Sequence, residues 1–454
     1  MIKDLTRGTP LKLIAQFALP IFIGNVFQQI FQISDTLIVG RLLGVNSLAA
    51  VGASGPLFFM FLMIAFGFTA GLTIITAQRF GARDFKGIKS SVFHSLLVSL
   101  LMCLLISLGL IFFLRPLLRL MNIPEVIMSQ AYDFTLILGL ALTPIVLYNL
   151  LSGFIRALGD SKTPLYFLIG SSLVNILLNF VFIYYFHWGV RGSAFGTFCA
   201  MSLSAVICVW FIYRKFPLLK ISLADCRYNH KFMMTHLRVA IPMAIHFSIL
   251  SFSMMIVQSV CNSFGTDVIA GFTAAMRIEQ ISTQPLFALG VSYATFAAQN
   301  FGAALIHRIR QGVRQCLAAG LVLSVIIGLI VRFYGSQMVS AFIEGNKPEI
   351  VIIGQQYLMI STYFYFCLLC IFIARNALQG MGRTAFPLAS GVVELLMRSF
   401  AAIYLAHLIG YQGIFWAGPI AWFGGAVVVC LGYILAIRQL NSKEMRRILM
   451  LKIK

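Results

Sequence analysis

The stretch SVFHSLLVSLLMCLLISLGLIFF at residues 91–113 decides the fold, because it contains no Lys, Arg, Asp or Glu and is long enough to cross a lipid bilayer. Similar apolar runs lie on both sides of it, at roughly 13–39, 47–77, 131–155, 164–185, 192–213, 238–260, 266–298, 313–334, 354–374, 386–408 and 411–436. The 454-residue chain is 60% hydrophobic and only 10% charged, and a soluble fold of this size cannot bury so much apolar surface. The sequence therefore predicts an all-α integral membrane protein with twelve transmembrane helices.

The basic residues are distributed unevenly between the connections. With the spans numbered in chain order, 26 of the 34 Lys and Arg residues lie in the N-terminal segment, the even-numbered connections and the C-terminal tail, and six lie in the odd-numbered connections. This asymmetry follows the positive-inside rule and predicts a multi-pass inner-membrane protein with both termini in the cytoplasm. Orientation and attraction to anionic membrane lipids then explain the net charge of +21, and no nucleic-acid partner is expected.

Catalytic and metal-binding patterns are absent from the sequence. Among the nine cysteines only Cys367 and Cys370 form a CxxC pair, and they lack the further ligands that would complete a zinc site. No P-loop, HExxH, GxSxG or dinucleotide-binding fingerprint occurs. We therefore expect neither an enzyme nor an ATP-driven pump, and no metal or organic cofactor.

The chain repeats itself once. The sequence AQRFGA at 77–82 returns as AQNFGA at 298–303, an offset of 221 residues, and IRALGDSKTP at 155–164 resembles LQGMGRTAFP at 378–387. Six spans fall in each half, so both halves enter the membrane from the same side and are related by a pseudo-two-fold axis along the membrane normal. We predict an N-terminal six-helix lobe at 1–213, a cytoplasmic linker at 214–237 and a C-terminal lobe with a basic tail at 238–454. Rocking of such lobes around a central cavity gives alternating access.

Span 1 carries an acid within the membrane. Asp35 has no Lys or Arg three or four residues away, and Pro20 lies earlier in the same span, where proline kinks a helix. A charge at membrane depth costs about 2.5–3.5 kcal/mol, so the carboxyl group must be protonated, hold a cation or face water. These are the properties of a coupling site that exchanges H⁺ or Na⁺. The alternative is that the Asp35 carboxyl group lies at the outer membrane interface and forms hydrogen bonds with the ends of helices.

Spans 5 and 6 contribute uncharged polar groups. Asn175 and Asn179 are spaced i, i+4 and share one helix face, and Thr197 lies in span 6. Amide and hydroxyl oxygens can coordinate Na⁺ or hydrogen-bond a protonated acid. The alternative role for such groups is adhesion between helices.

The second half carries four further charges within spans. Glu394 and Arg398 are spaced i, i+4, which predicts an ion pair. Arg277 and Glu279 are too close in sequence to face each other on a helix, so each could pair across the cavity. Structural pairing is the commoner role of intramembrane charges, and we regard these four as cavity or structural charges.

Together these motifs resemble the multidrug and toxic compound extrusion (MATE) transporters, and most of all the prokaryotic branch named after DNA-damage-inducible protein F. The motifs that carry the resemblance are ALP at 18–20, DTLIVGRLLG at 35–44, LAAVG at 48–52, AQRFGA at 77–82, IRALGDSKTP at 155–164, AAMRIEQ at 274–280, AQNFGAA at 298–304 and LQGMGRT at 378–384. The resemblance implies two six-helix lobes in a V shape and a cation site in the N-terminal lobe. Asp35, Asn175 and Thr197 fall on the site positions of that family, Pro20 matches its kink proline, and Asn179 replaces its second acid.

The resemblance implies a secondary-active antiporter that exports cationic or amphipathic drugs in exchange for H⁺ or Na⁺. The other branch of the family uses an acid on helix 7 and another on helix 10, and neither is present here. The alternative is a flippase for polyprenyl-linked sugars, which would need a basic cavity for which only Arg277 and Arg398 are candidates. We expect a monomer whose partners are small organic compounds and membrane lipids.

Overall fold

The computed structural model of the chain describes residues 3–121, 123–343 and 347–441, apart from the side chains of 31–33, 35–37, 45, 46, 48 and 441. Within these ranges the chain is almost entirely helical and contains no β-strand. The helices of the first half are α1 (Pro10–Leu43), α2 (Val45–Gly81), α3 (Phe85–Leu120), α4 (Glu125–Ala157), α5 (Lys162–Phe180) with a π-helical turn (Val181–Tyr185), and α6 (Gly189–Lys215). The later helices are α7 (His230–Asn262), α8 (Thr266–Gly302), α9 (Ile306–Ser340), α10 (Pro348–Tyr363), α11 (Tyr365–Gly380), α12 (Ala385–Ile409) and α13 (Gln412–Asn441), and two 3₁₀ turns, Pro217–Leu219 and Leu223–Asp225, precede α7.

The twelve predicted spans all correspond to helices in the structure. Among the described residues, ten helical segments are long and apolar enough to cross a membrane, and α10 with α11 forms an eleventh span that is bent by 53°. The remaining long helix, α8, has 37 residues and carries Arg277 and Glu279 within its length. The prediction of an all-α membrane protein is confirmed. The bend between α10 and α11 was not predicted, because neither proline nor glycine marks it.

The backbone repeats the sequence symmetry between the two halves. Four pairs of residues at corresponding positions share a positive φ: Gly44 and Gly265, Arg83 and Ala304, Gly159 and Gly382, and Gly189 and Gly410. A positive φ is unfavourable for any residue with a Cβ, yet Arg83 has a φ of 58° and Ala304 one of 59°. Because unrelated segments would not share this conformation, the two halves are structural repeats as well as sequence repeats.

The described residues divide into two compact units whose boundaries fall inside helices. One unit contains Ile23–Ala244, and the other contains Asp4–Phe22 together with the residues from Ile245 onward. The boundaries therefore lie within α1, just after Pro20, and within α7, just after Pro242. The lobe boundaries taken from the sequence, 1–213 and 238–454, remain a prediction.

The AQNFGA motif anchors the N-terminal segment in the second unit. The Gln299 side chain accepts a hydrogen bond from the N–H of Leu5 at 2.9 Å. The Arg308 guanidinium donates to the Asn300 side chain at 2.9 Å and to the carbonyl of Gly8 at 2.8 Å. Leu5 is fully buried there. The polar residues of this motif therefore hold the start of the chain against α8 and α9.

The first unit anchors the segment before α7 in an equivalent place. The ring of His94, on α3, accepts a hydrogen bond from the N–H of Asn229 at 3.0 Å, and the ring of His236 contacts the Ser91 hydroxyl at 2.8 Å. Lys89 forms an ion pair of 3.2 Å with Asp225. The second part of the linker that the sequence places at 214–237 is thus attached to α3.

We expect Asp225→Asn to loosen this attachment. Hydrogen bonds from Ser222, and then the one from Lys89, lower the pKa of Asp225 to about 2. Because this pKa is depressed, the stabilising contribution is present above about pH 4, the value for an unfolded chain, and is lost as the pH falls towards 2. At neutral pH, trypsin should cleave the variant after Lys220 and Arg227 about two- to fivefold faster, since exposed ion pairs contribute little.

Glu125→Gln is the control for this experiment. Glu125 lies in the first turn of α4, far in sequence from the linker, and its own ion pair with Arg119 is long, at 3.9 Å, and exposed. Its cleavage pattern should match that of the unmodified protein. Equal cleavage rates for Asp225→Asn and the unmodified protein would show that the ion pair does not hold the linker.

Candidate functional site

A chain of hydrogen bonds joins α5 to α6 in the first unit. The Asn179 amide donates to the Asn175 side-chain oxygen at 2.9 Å, and the Asn175 amide donates to the Thr197 hydroxyl at 3.0 Å. The hydroxyl in turn donates to the carbonyl of Ser193 at 3.3 Å. Both asparagines are fully buried. The structure thus brings together three of the four residues that the sequence assigned to cation coupling.

The direction of these bonds determines what the site offers a ligand. Each asparagine uses its N–H group as a donor within the chain, so the Asn179 Oδ1 is an acceptor at the head of it. Acceptor oxygens suit a cation or the O–H of a protonated acid. In the part of the chain that the structure describes, no three His, Cys, Asp or Glu side chains converge as transition-metal ligands would.

Gly196 allows α6 to approach Asn179. A Cβ built at position 196 would overlap the Asn179 Oδ1. Gly192, one turn earlier on α6, lies in the same way against the backbone of Phe182. The sequence analysis did not single out these two glycines, although their i, i+4 spacing marks a close helix contact.

For a site that couples a cation to transport, as the resemblance implies, Gly196→Ala should slow transport without unfolding the protein. The added methyl group displaces the Asn179 amide and disturbs its bond to Asn175, so we expect about a five- to tenfold loss of transport rate, the cost of about one hydrogen bond. Gly170→Ala is the matched control, because a Cβ at position 170 of α5 meets nothing within 4 Å. The initial rate of transport is measured in vesicles for both variants. Equal rates for the two would remove Asn179 from the site.

Asp35 and Pro20 both belong to α1. The backbone of Asp35 is helical, while its side chain lies outside the described residues. Pro20 lies inside α1, three residues before the part of the helix that belongs to the first unit. Their assigned roles in coupling and kinking remain predictions.

The buried ion pair of the second unit differs from the predicted one. The carboxylate of Glu394 bonds the guanidinium of Arg375, on α11, and accepts a hydrogen bond from Ser390 at 2.9 Å. The side chains of the pair are only 7% and 4% exposed. The prediction that Glu394 pairs with Arg398 named the wrong partner, because the cross-helix arginine lies closer than the one a turn along α12.

The sequence analysis missed Arg375 because span 10 was ended at residue 374. Arg375 was therefore counted with the basic residues of a cytoplasmic connection, whereas α11 continues to Gly380 and buries it. The apolar and small residues that follow, such as Ala377 and Leu378, were the available signal that the helix extends further.

Arg398 and Glu279 lie near this pair but make other contacts. The Arg398 guanidinium is buried, points to the sulfur of Met254 at 3.7 Å and is attracted by Glu394 and Glu279. Glu279 is half-buried and accepts a hydrogen bond from the Tyr357 hydroxyl at 2.8 Å. Arg277 is exposed, so it and Glu279 face different directions, as their spacing predicts.

The repeat shows that the two units carry different residues at the position of Asn175. The offset that relates Gly159 to Gly382 places Arg398 at the position of Asn175. A buried cation thus occupies the second unit where the first has an amide oxygen. The second unit therefore lacks the acceptor set that a coupling cation would need at that position.

Known proteins match the chain in both sequence and fold. The family model described as MatE matches it twice, at residues 20–181 and 242–404. The probable multidrug resistance protein YpnP of Bacillus subtilis (strain 168) is 30% identical over 416 residues, covering 90% of this chain and 92% of YpnP. The probable multidrug resistance protein YoeA of the same organism is 27% identical over 429 residues, with 92% of each chain covered.

Solved structures share the fold. A MOP superfamily transporter from Pyrococcus furiosus Vc1 superimposes with a TM-score of 0.90, covering 97% of this chain and 98% of the other at 23% identity. An outward-facing multidrug resistance MATE family transporter gives a TM-score of 0.89 at 24% identity, with 96% and 98% covered. Two family matches, one in each half, confirm the twelve-helix, two-lobed fold class and the resemblance seen in the sequence. The chain belongs to the MatE family, the multidrug and toxic compound extrusion transporters.

Proposed function

We propose that this protein is a secondary-active antiporter that exports cationic or amphipathic organic compounds in exchange for H⁺ or Na⁺. The observation that carries the proposal is the chain of hydrogen bonds through Asn179, Asn175 and Thr197, in which both asparagines are fully buried. Three polar side chains are unfavourable at membrane depth unless they serve one another or a ligand. The Asn179 Oδ1 packs directly against Gly196 of α6, where an added Cβ would overlap it.

The geometry of α1 supports placing Asp35 beside this acceptor. A Cβ on Gly24 would lie 3.3 Å from the Leu168 side chain, so α1 and α5 are in contact at this level. The helices α1 and α5 run in the same direction, because the chain crosses the membrane four times between the start of α1 and the start of α5. Gly24 to Asp35 and Leu168 to Asn179 are both steps of 11 residues, or about 16 Å of helix. Asp35 is therefore expected at the height of Asn179.

A carboxylate next to amide and hydroxyl oxygens can exchange ligands without large rearrangement. In one state the carboxylate and the acceptor oxygens hold Na⁺, whose preferred ligands are oxygens. In the other the carboxyl group is protonated and donates its O–H to an acceptor such as Asn179 Oδ1. With a single acid available, neutralising one charge by either H⁺ or Na⁺ is enough to allow the helices to repack.

The substrate class and direction rest on the relatives and on the charge pattern. YpnP and YoeA are named as probable multidrug resistance proteins, which supports export of organic compounds. The excess of Lys and Arg in alternate connections supports an inner-membrane protein with both termini in the cytoplasm. The flippase alternative is less supported, because of its two candidate cavity cations Arg398 is buried rather than open to a cavity and only Arg277 is exposed.

Reconstituted transport tests the proposal. The protein is placed in liposomes loaded with ethidium, and a pH gradient or a Na⁺ gradient is imposed separately. We expect efflux to follow one gradient and to stop when nigericin or monensin collapses it. Liposomes without protein are the control. Efflux that is independent of both gradients would contradict antiport, and export of a lipid-linked sugar without ethidium would favour the flippase.

A further inference from the structure

Two fully buried histidines join α3 to the start of α7 in the first unit. His94 lies on α3 and His236 on α7, and their rings stack with the centroids 6.2 Å apart and the planes at 19°. Buried polar groups need hydrogen-bond partners, and both nitrogens of each ring have one. The chemistry of these partners determines which protonation state each contact requires.

The partners of His94 fit only the neutral ring. Its Nδ1 lies 2.7 Å from the carbonyl oxygen of Ser90, which can only accept, so Nδ1 carries the hydrogen. Its Nε2 accepts a hydrogen bond from the backbone N–H of Asn229 at 3.0 Å. In a protonated ring both nitrogens are donors, so the Nε2 of protonated His94 would face another donor. The contact between α3 and Asn229 therefore requires a neutral ring.

The bond to Asn229 also fixes the first turn of α7. The Asn229 side-chain oxygen accepts a hydrogen bond from the N–H of Phe232 at 3.1 Å, as the residue that caps a helix does. The N-terminal end of a helix carries a partial positive charge, so a cation beside it is unfavourable. Protonated His94 would place a cation at this end. Protonation would thus weaken the contact for a second reason.

His236 strengthens the contact but is less strict about its charge. Its Nδ1 donates to the carbonyl of Phe232 at 2.9 Å, and its Nε2 lies 2.8 Å from the Ser91 hydroxyl, which can donate or accept. The ring of Phe232 packs against both imidazoles, with centroid distances of 5.3 and 4.9 Å. A charge on His236 therefore acts mainly by repelling a charge on His94.

The other charged and titratable groups around the two rings come from α2, α3 and the linker, and they are Arg79, Asp84, Lys89, Asp225, Tyr228 and His230. Arg79 pairs with Asp84 at 2.8 Å. Lys89 pairs with Asp225 at 3.2 Å. Both carboxylates are thus engaged, and within the described part of the chain neither buried ring has an acid as its partner. A protonated ring would gain no counter-charge here.

We propose that His94 and His236 form a latch that holds the linker and the start of α7 on α3 at neutral pH and releases them in acid. A free histidine ring takes up a proton near pH 6.5, and a ring that must leave its contact first favours release. The contact is therefore fully stable above about pH 6.5 and is lost progressively below it. The charge pattern places this end of α3 at the cytoplasm. The proposal goes beyond antiport, because linker docking is measured without transport.

Hydrogen–deuterium exchange of the detergent-solubilised full chain tests the latch. Exchange of peptides that cover residues 226–236 is measured by mass spectrometry at pH 7.5 and 5.5 and corrected for the intrinsic effect of pH. We expect protection to fall about tenfold for one ring that is protonated only after release, and up to about a hundredfold for two. Peptides from α9, in the second unit, are the internal reference and should keep their protection. Equal protection of residues 226–236 at both pH values would overturn the proposal.

His94→Gln should remove most of this response. A glutamine oxygen can still accept from the N–H of Asn229 but takes up no proton, so the fall in protection should shrink about tenfold. His230→Gln is the matched control, because His230 is an exposed histidine of the same segment. Its bond to the Tyr228 hydroxyl, at 3.2 Å, fits either charge state, so its response should equal that of the unmodified protein. A full response in His94→Gln, or none in His230→Gln, would contradict the latch.

A second variant leaves the buried rings in place. Asn229 is exposed, and Asn229→Pro removes the N–H that a protonated His94 would oppose. Docking should weaken at pH 7.5, and the remaining protection should change less than about threefold on acidification. Melting temperatures verify that each variant is folded. A tenfold fall in Asn229→Pro would show that the response to pH arises elsewhere, and the proposal would be wrong even with antiport intact.

Discussion

In the proposed antiporter, Asp35→Asn is expected to slow gradient-driven export by about 5- to 150-fold in the initial rate, the range of typical coupling free energies. Asparagine has nearly the size of aspartate, so the packing of α1 is preserved. An amide, however, neither takes up a proton near neutral pH nor carries the negative charge that binds Na⁺. Ethidium efflux from vesicles under an imposed gradient measures the loss.

The matched control is Asp267→Asn, the same chemical change at an exposed acid in the first turn of α8. Its efflux rate should equal that of the unmodified protein. Asn179→Asp is the complementary variant, because it adds a second carboxylate one turn from Asn175 and should shift the preference between H⁺ and Na⁺. Full-rate export by Asp35→Asn under both gradients would remove Asp35 from the mechanism.

The spans could be predicted from the sequence because the bilayer requires long apolar helices, and the run at 91–113 has no other stable solution. The repeat was equally readable, and the shared φ at Arg83 and Ala304 is its structural counterpart. The bend between Tyr363 and Tyr365 could not be predicted, since no proline or glycine marks it.

The candidate site was predictable only in part. The i, i+4 spacing placed Asn175 and Asn179 on one face, but their bond to Thr197 depends on how α5 and α6 align, which no local pattern encodes. Arg375 was missed because the predicted span ended at residue 374, one residue before it, and no local pattern links it to Glu394 on another helix.

Glu394→Gln is expected to lower the free energy of unfolding of the second unit by about 3–5 kcal/mol, the usual effect of removing one partner from a buried ion pair. Both side chains of the Arg375–Glu394 pair are less than a tenth exposed, and Arg398 lies close enough to be attracted by Glu394. The variant therefore leaves two buried cations with one fewer counter-charge. Thermal unfolding in detergent should show a clearly lower melting temperature.

The double variant Arg375→Met/Glu394→Leu shows whether the loss comes from the uncompensated charge. Replacing both partners by apolar residues of similar size is often neutral, so most of the lost stability should return. Glu349→Gln, at an exposed acid in the first turn of α10, is the matched control and should unfold like the unmodified protein. If Glu394→Gln were as stable as the control, the ion pair would contribute nothing to the stability of the fold. The α11–α12 contact would then depend on the Ser390 hydrogen bonds rather than on charge, since Ser390 bonds both Arg375 and Glu394.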